Sequence, residues 1–328
     1  MTQEVKIAVT GAAGQIGYSL LFRLASGEVF GPQTRVTLNL LELPSSLKAC
    51  EGTALELIDC AFPTLKEVNC FDQADKAFSG VNWALLVGSM PRGPGMERSD
   101  LIKKNGPIFL EQGRALNRAA SDVRIVVVGN PCNTNALIAC HAAREISPDR
   151  FSAMTALDEN RAKGQLALKA GVSVGEVTNL ALWGNHSPKM HADFENAKIS
   201  GQPAEKRITD RKWLESVFLT TVQQRGAEII QARGKSSAAS AASSCIDHMK
   251  NFLRKTPKGD WFSAAIPTDG SFYDIPKGLV FSFPLTSDGA GKLNVVQGLP
   301  LSEYTKKQIR LSVDELLTER AIIADLLS

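Results

Sequence analysis

The chain of 328 residues has no run of eighteen apolar residues, no C-x-x-C pair and no tract of like charge. The first absence argues against a membrane-spanning helix. The six cysteines (Cys50, Cys60, Cys70, Cys132, Cys140 and Cys245) stand apart in the sequence, and nothing about the chain is secretory. They read as reduced intracellular thiols. Net charge is only +3, with 37 basic residues interspersed among 34 acidic ones. That is too weak to draw the chain to nucleic acid or to an anionic membrane surface. Residues 1–6 are polar and enter a strand at once. This leaves no room for a signal or transit peptide, and cytoplasm is the default expectation. There is no repeat of 20–50 residues and no disordered linker.

What is present is an ordinary globular composition, 44% hydrophobic and 22% charged. The length exceeds what one core usually supports, so two closely packed domains are expected, 1–154 and 155–328. Residues 5–10 form an apolar, β-branched run ending at Gly11. A helical pattern follows over 14–25, then a strand over 36–41 closed by Glu42. Ser45 is a plausible cap for a helix running to about Ile58. Residues 83–87 and 125–128 are further strands, each ending at glycine (Gly88, Gly129), with a helix over 101–118 between them. Strands alternating with helices predict a Rossmann-type doubly wound parallel sheet in the first half. The second half reads as α+β. Residues 157–170 are helical and 177–183 a strand; 213–233 and 235–249 form one long helix or two. Short β-like runs over 261–299 predict an antiparallel sheet, and Ile309, Val313, Leu316 and Leu317 share one face of a C-terminal helix.

The first strand runs into Gly11-Ala12-Ala13-Gly14-Gln15-Ile16-Gly17, a G-x-x-G-x-x-G variant of the dinucleotide fingerprint. Glycines permit a tight turn and close approach of a pyrophosphate, and the helix start offers free N–H donors. Alone such a motif is weak; here a strand precedes it, a helix follows, and an acid closes the next strand. Glu42 lies about 25 residues beyond Gly17, against the usual spacing of about 20. A carboxylate there accepts from the adenosine ribose and repels a 2′-phosphate, which favours NAD over NADP. The alternative is a solvated surface glutamate.

His186 follows a predicted strand in Trp183-Gly184-Asn185-His186-Ser187. A lone histidine is more often structural. Upstream, however, Asp158 and Arg161 are three apart and share a helical face. A carboxylate beside an imidazole fixes its tautomer and stabilises the imidazolium. A guanidinium one turn on can grip a carboxylate with two hydrogen bonds. Those are the groups needed to oxidise a 2-hydroxy acid; the bland reading is a surface ion pair. A loop after the third strand, Ser89-Met90-Pro91-Arg92-Gly93-Pro94-Gly95-Met96-Glu97-Arg98, carries two arginines suited to a dianion.

These stretches (GAAGQIG, LVGSMPRGPGMER, VVGNPCNTN, TALDENRAK and WGNHS, in that order) closely resemble the cytosolic-like branch of the lactate/malate dehydrogenase family over nearly the whole chain. The resemblance implies reversible NAD-dependent oxidation of malate to oxaloacetate, as in the tricarboxylic acid cycle. His186 would be the proton acceptor and Asp158 its partner. Arg161 would bind the C1 carboxylate, and Arg92 the distal one with help from Arg98. Asn130 would contact substrate and nicotinamide ribose. Val128, Gly129, Asn105 and Gln112 match positions lining the cofactor site, and Ser240 a small polar residue near the substrate. Relatives of this branch are usually homodimers. No metal is implied: His186 and His191 are five apart, with no H-E-x-x-H.

Lactate dehydrogenase shares the catalytic pair but presents a neutral residue where Arg92 stands. With a methyl group as partner, that arginine would be a buried unpaired charge costing several kcal/mol. A short-chain dehydrogenase would use Tyr-x-x-x-Lys, which occurs once, from Tyr273 to Lys277. Pro276 interrupts the helix that pair would need. A non-catalytic NAD-binding protein is a third reading, opposed by the intact set His186, Asp158, Arg161 and Arg92. Lys235-Ser236 after Gly234 mimics a phosphate loop without the leading strand.

Overall fold

The structure is a computed structural model and describes residues 3–91 and 95–328, so Arg92, Gly93 and Pro94 lie outside it. The chain divides into two compact units. The first comprises Met1–Ala153, Ala238–Ile246 and Glu319–Ser328; the second comprises Met154–Ser237 and Asp247–Thr318.

In the first unit β1 (Gln3–Thr10), α1 (Gln15–Ala25), β2 (Thr34–Leu41), α2 (Leu47–Asp59) and β3 (Leu65–Phe71) follow in order. Then come α3 (Ala74–Ala77), β4 (Trp83–Leu86), α4 (Arg98–Ala115), β5 (Arg124–Val127), α5 (Cys132–Ala142) and β6 (Phe151–Ala153). The six strands are parallel, in spatial order β3-β2-β1-β4-β5-β6. This is the doubly wound order expected, with its switch point between β1 and β4. Inner strands read as continuous apolar runs because helices cover both faces. Ile7, Ala8 and Val9 are fully buried, as are Val36, Leu38 and Leu40. Helix α1 turns Leu20, Leu21 and Leu24 inward, each fully buried and contributing about 2 kcal/mol of apolar burial.

The second unit begins with α6 (Ala156–Ala170), whose C-terminus is closed by Gly171 at φ +68°. Five short strands follow: β7 (Val177–Thr178), β8 (Ala181–Trp183), β9 (His191–Asp193), β10 (Lys198–Ile199) and β11 (Gln202–Pro203). Next come α7 (Ala204–Arg207), a π-helical turn (Trp213–Phe218), α8 (Leu219–Arg233) and α9 (Ala239–Leu253), whose residues up to Ile246 count with the first unit. The strands β12 (Phe262–Pro267), β13 (Val280–Ser287) and β14 (Leu293–Val295) pair antiparallel with one another, as expected, before α10 (Glu303–Ile322), whose residues from Glu319 count with the first unit. Ile309, Val313 and Leu316 are its buried face.

Two expectations are corrected, and one open choice is settled. The strand over 177–183 is two strands, broken where Asn179 adopts φ +56°. Its backbone N–H donates to Asp260 (2.8 Å) and its amide to the Gly259 carbonyl, which holds a conformation asparagine tolerates. Of the two alternatives left open over 213–249, the structure has two helices, parted at Gly234, which stands at φ +69°. Ser45 is no cap: it sits inside a 3-10 turn, Pro44–Ser46, and α2 starts at Leu47 without a capping side chain.

No disulfide joins any of the six cysteines, all of which are described residues. Among the described residues no helix is long and apolar enough to cross a membrane.

Two buried histidines, His191 and His248, set an acid limit. His191 is fully buried at the start of β9, with Nε2 3.2 Å from the Thr305 hydroxyl. Burial lowers its pKa from 6.5 to about 4, opposed in part by Glu195. The folded state therefore holds the neutral ring, and its stabilising effect is intact above pH 6.5. It is lost as pH falls from 6.5 towards 4, amounting to about 3 kcal/mol by pH 4. Urea denaturation at pH 7 and pH 4 should show wild type losing that much more stability than His191→Gln. Equal losses would mean that His191 does not set this limit.

Candidate active site

The first unit offers a cradle built from bare backbone. Gly11, just beyond β1, stands at φ +63°, and a Cβ there would lie 2.5 Å from the Cα of Gly88, just beyond β4. A Cβ on Gly17 would lie 2.5 Å from the Gly11 carbonyl oxygen and 2.6 Å from that of Ala12. Neither position accepts a side chain without a shift of main chain. The Gly14 N–H donates to the Gly11 carbonyl (3.0 Å), and Gly14 then caps α1 with no side chain. No acid occupies the first turn of that helix. Its first N–H groups and positive dipole end are left for an anion such as a pyrophosphate. Ala12 is buried, Ala13 and Ile16 are half-buried, and Gln15 is exposed.

Glu42 is not a solvated surface acid. One carboxylate oxygen accepts from the Ala13 N–H (2.9 Å), and the other from Leu43 N–H (3.2 Å). Its own N–H donates to the Phe71 carbonyl on β3 (2.9 Å). The acid and the glycine turn are thus one unit. The residues present fit a dinucleotide: close-approach glycines, an uncapped helix start and an acid held beside them.

Asn105, fully buried on α4, clamps two loops at the carboxyl ends of strands. Its Oδ1 accepts from the Met90 N–H (2.8 Å), and its Nδ2 donates to the carbonyls of Met90 (3.2 Å) and Asn130 (3.0 Å). Val128 and Gly129 are buried and Asn130 is exposed. A Cβ on Gly129 would stand 2.9 Å from the Phe109 ring. Gln112 is buried on α4, its Oε1 without a partner among the described residues. Arg98, first residue of α4, donates from Nε to Glu319 (2.7 Å). The other oxygen of Glu319, nearly buried, accepts from the Thr134 hydroxyl. The Arg98 Nη2 is buried with no partner among the described residues.

In the second unit α6 presents Asp158 from its first turn, fully buried. One of its oxygens meets Nδ1 of His186. The other accepts from Nη1 of Arg161, 3.2 Å away at i+3. Nη2 of Arg161 donates to the Ser237 hydroxyl (3.2 Å). A buried carboxylate needs an opposite charge, which Arg161 supplies, while His186 takes the remaining oxygen. His186 and Arg161 are mostly buried yet keep an open edge. The predicted trio Asp158, Arg161 and His186 is therefore assembled.

The family resemblance implies that Ser240 is near the substrate. It is exposed in the first turn of α9, with its carbonyl taking the Ser244 hydroxyl. The serine on Arg161 is Ser237, three residues earlier in the same small-residue stretch. Tyr273 is in a turn at φ +52°, its hydroxyl donating to the Val296 carbonyl (2.6 Å), so it is not part of a helical Tyr-x-x-x-Lys pair. Among the described residues no three His, Cys, Asp or Glu side chains group as a metal site.

Comparison with known proteins decides the family. Residues 5–151 match the NAD binding domain of lactate/malate dehydrogenase, and 155–325 match its alpha/beta C-terminal domain. The chain belongs to the lactate/malate dehydrogenase family. NAD is accordingly the cofactor of its first domain. A malate dehydrogenase of Magnetococcus marinus is 55% identical over 327 residues, covering all of this chain and 99% of that protein. The malate dehydrogenase structure from Naegleria fowleri superposes with a TM-score of 0.95 at 45% identity, covering 99% of each chain. A Trichomonas vaginalis lactate dehydrogenase, in complex with NADH and oxamate, superposes at 0.94 with 37% identity. It covers 98% of this chain and 99% of that one. Both substrate classes of the family thus lie near this member.

Proposed function

We propose that the chain is an NAD-dependent malate dehydrogenase that interconverts (S)-malate and oxaloacetate. The observation that carries the chemistry is the Asp158 carboxylate shared between His186 and Arg161. With Nδ1 engaged by Asp158, the other ring nitrogen of His186 is the one to take the proton of the substrate hydroxyl. Asp158 holds the ring in that tautomer and stabilises the imidazolium that forms. Arg161, its guanidinium plane fixed by Asp158 and Ser237, grips the C1 carboxylate through charge-assisted hydrogen bonds. When bound, NAD supplies the acceptor for the hydride leaving C2. In the reverse direction the charged His186 returns the proton to the alkoxide of the reduced product.

The glycine turn from Gly11 to Gly17 takes the pyrophosphate, and Glu42 the adenosine ribose. Asn130 contacts substrate and nicotinamide ribose, with Val128, Gly129, Asn105 and Gln112 around the cofactor and Ser240 near the substrate. The lactate dehydrogenase relative shows that membership of the family does not choose the substrate. Arg92, with Arg98 assisting, supports a dicarboxylate, because a methyl group would leave its charge unpaired. A cytoplasmic homodimer serving the tricarboxylic acid cycle completes the proposal.

The test is a steady-state comparison of oxaloacetate, pyruvate and 2-oxoglutarate with NADH and with NADPH. Oxaloacetate with NADH should exceed every other pairing by at least about 10³ in kcat/KM. Preference for pyruvate would replace the dicarboxylate reading, and preference for NADPH would remove the role given to Glu42.

A further inference from the structure

The turn that carries His186 owes its shape to helix α10, more than a hundred residues further along the chain. Gly184 stands at φ +99°, and a Cβ there would lie 2.0 Å from the Ser312 hydroxyl, so that helix presses directly on the turn. The Ser312 hydroxyl, fully buried, accepts from the backbone N–H of Asn185 (2.8 Å). Glu315, three residues on, accepts from the Asn185 side-chain amide (2.8 Å) and from the Ser187 hydroxyl through the same oxygen. The residues on both sides of His186 are thus tied to one carboxylate. On the opposite side Gly184 is bridged to Ser282 of β13 through paired backbone hydrogen bonds of 3.2 and 2.9 Å. The imidazole meets Asp158, but the main chain that aims it is set by Ser312 and Glu315.

We infer that Glu315 is a positioning residue for the catalytic histidine, acting with Ser312 to hold the Asn185–Ser187 turn so that His186 is aimed at Asp158 and at the substrate. The inference rests on the proton-transfer role proposed for His186. A surface ion pair does not explain the arrangement, because both donors to Glu315 are neutral groups flanking the histidine. Displacement of about 1 Å in a reacting group costs on the order of 10²-fold in rate. Loss of this tether therefore falls on kcat rather than on binding of substrate or cofactor.

The experiment uses the full-length enzyme and compares Glu315→Ala, Glu315→Gln and Ser312→Ala by steady-state kinetics over a pH series. Glu315→Ala should lower kcat about 10- to 100-fold. The KM for oxaloacetate and the Kd for NADH should stay within about twofold, since neither ligand loses a contact. Glu315→Gln keeps an acceptor oxygen and should retain most of kcat, which separates geometry from charge. Ser312→Ala should move the same parameters in the same direction. If Glu315→Ala folds poorly, Ser312→Ala decides by the same split of kcat from KM and Kd, since it removes the tie on the Asn185 N–H. An unchanged kcat in Glu315→Ala, or equal losses in kcat and NADH affinity, would overturn the inference. An active His186→Asn enzyme would instead overturn the reading beneath it.

Discussion

His186→Asn is expected to lower turnover of oxaloacetate by about 10³-fold, within the range general acid–base catalysis contributes, while NADH binding is unchanged. Asparagine can still hydrogen-bond Asp158, and Arg161 still compensates that carboxylate from 3.2 Å, so the site should stay assembled. What is lost is the group able to deliver a proton to the carbonyl oxygen as hydride arrives. Steady-state kcat together with NADH fluorescence titration makes the separation. A kcat near that of wild type would remove the proton-transfer role, whereas loss of NADH binding would point to a collapsed site.

The second large effect is on specificity. Arg92→Gln is expected to cut kcat/KM for oxaloacetate by about 10³- to 10⁴-fold and to raise that for pyruvate, inverting the preference. The physical reason is asymmetric. With the arginine present, a methyl group leaves a cation unpaired in a site that excludes water, costing several kcal/mol. With glutamine present, the distal carboxylate of oxaloacetate loses its counter-charge while pyruvate loses nothing. The ratio of the two kcat/KM values is the measurement, and an unchanged ratio would break the dicarboxylate assignment. Arg92 lies outside the described residues, so this expectation rests on its chemistry and its place in the motif.

Local features were readable in advance. The glycine turn is a contiguous heptapeptide after an apolar strand, and Asp158 and Arg161 meet because three residues is nearly one helical turn. The buried strands β1 and β2 announced themselves as apolar runs. Strand β3 did not: it is the sheet edge, with Lys66 and Glu67 exposed and its other residues only half-buried, so no period-two signal survives. Helix α5 was missed for the opposite reason. Nearly all of Cys132–Ala142 is buried, including Asn133, Thr134 and Asn135, which leaves no polar face to mark a helical period. The break at Asn179 depends on Asp260, and the anchors of the catalytic residues on Ser237, Ser312 and Glu315. Each is a polar residue whose partner is set by tertiary structure, so nothing in its own neighbourhood identifies it.

The composition of the first unit also bears on how the molecule is made. Residues 319–328 belong to the half of the chain synthesised first, yet they emerge from the ribosome only after residues 154–318. Until then Arg98 lacks Glu319, Thr134 lacks the acceptor for its hydroxyl, and the Leu326 side chain is missing from its seat against Gly106. The nucleotide-binding half can fold its sheet early, but the Arg98 Nε has no carboxylate to meet until synthesis has passed Glu319. Vectorial folding of this enzyme therefore ends where it began, with a late helix closing an early domain.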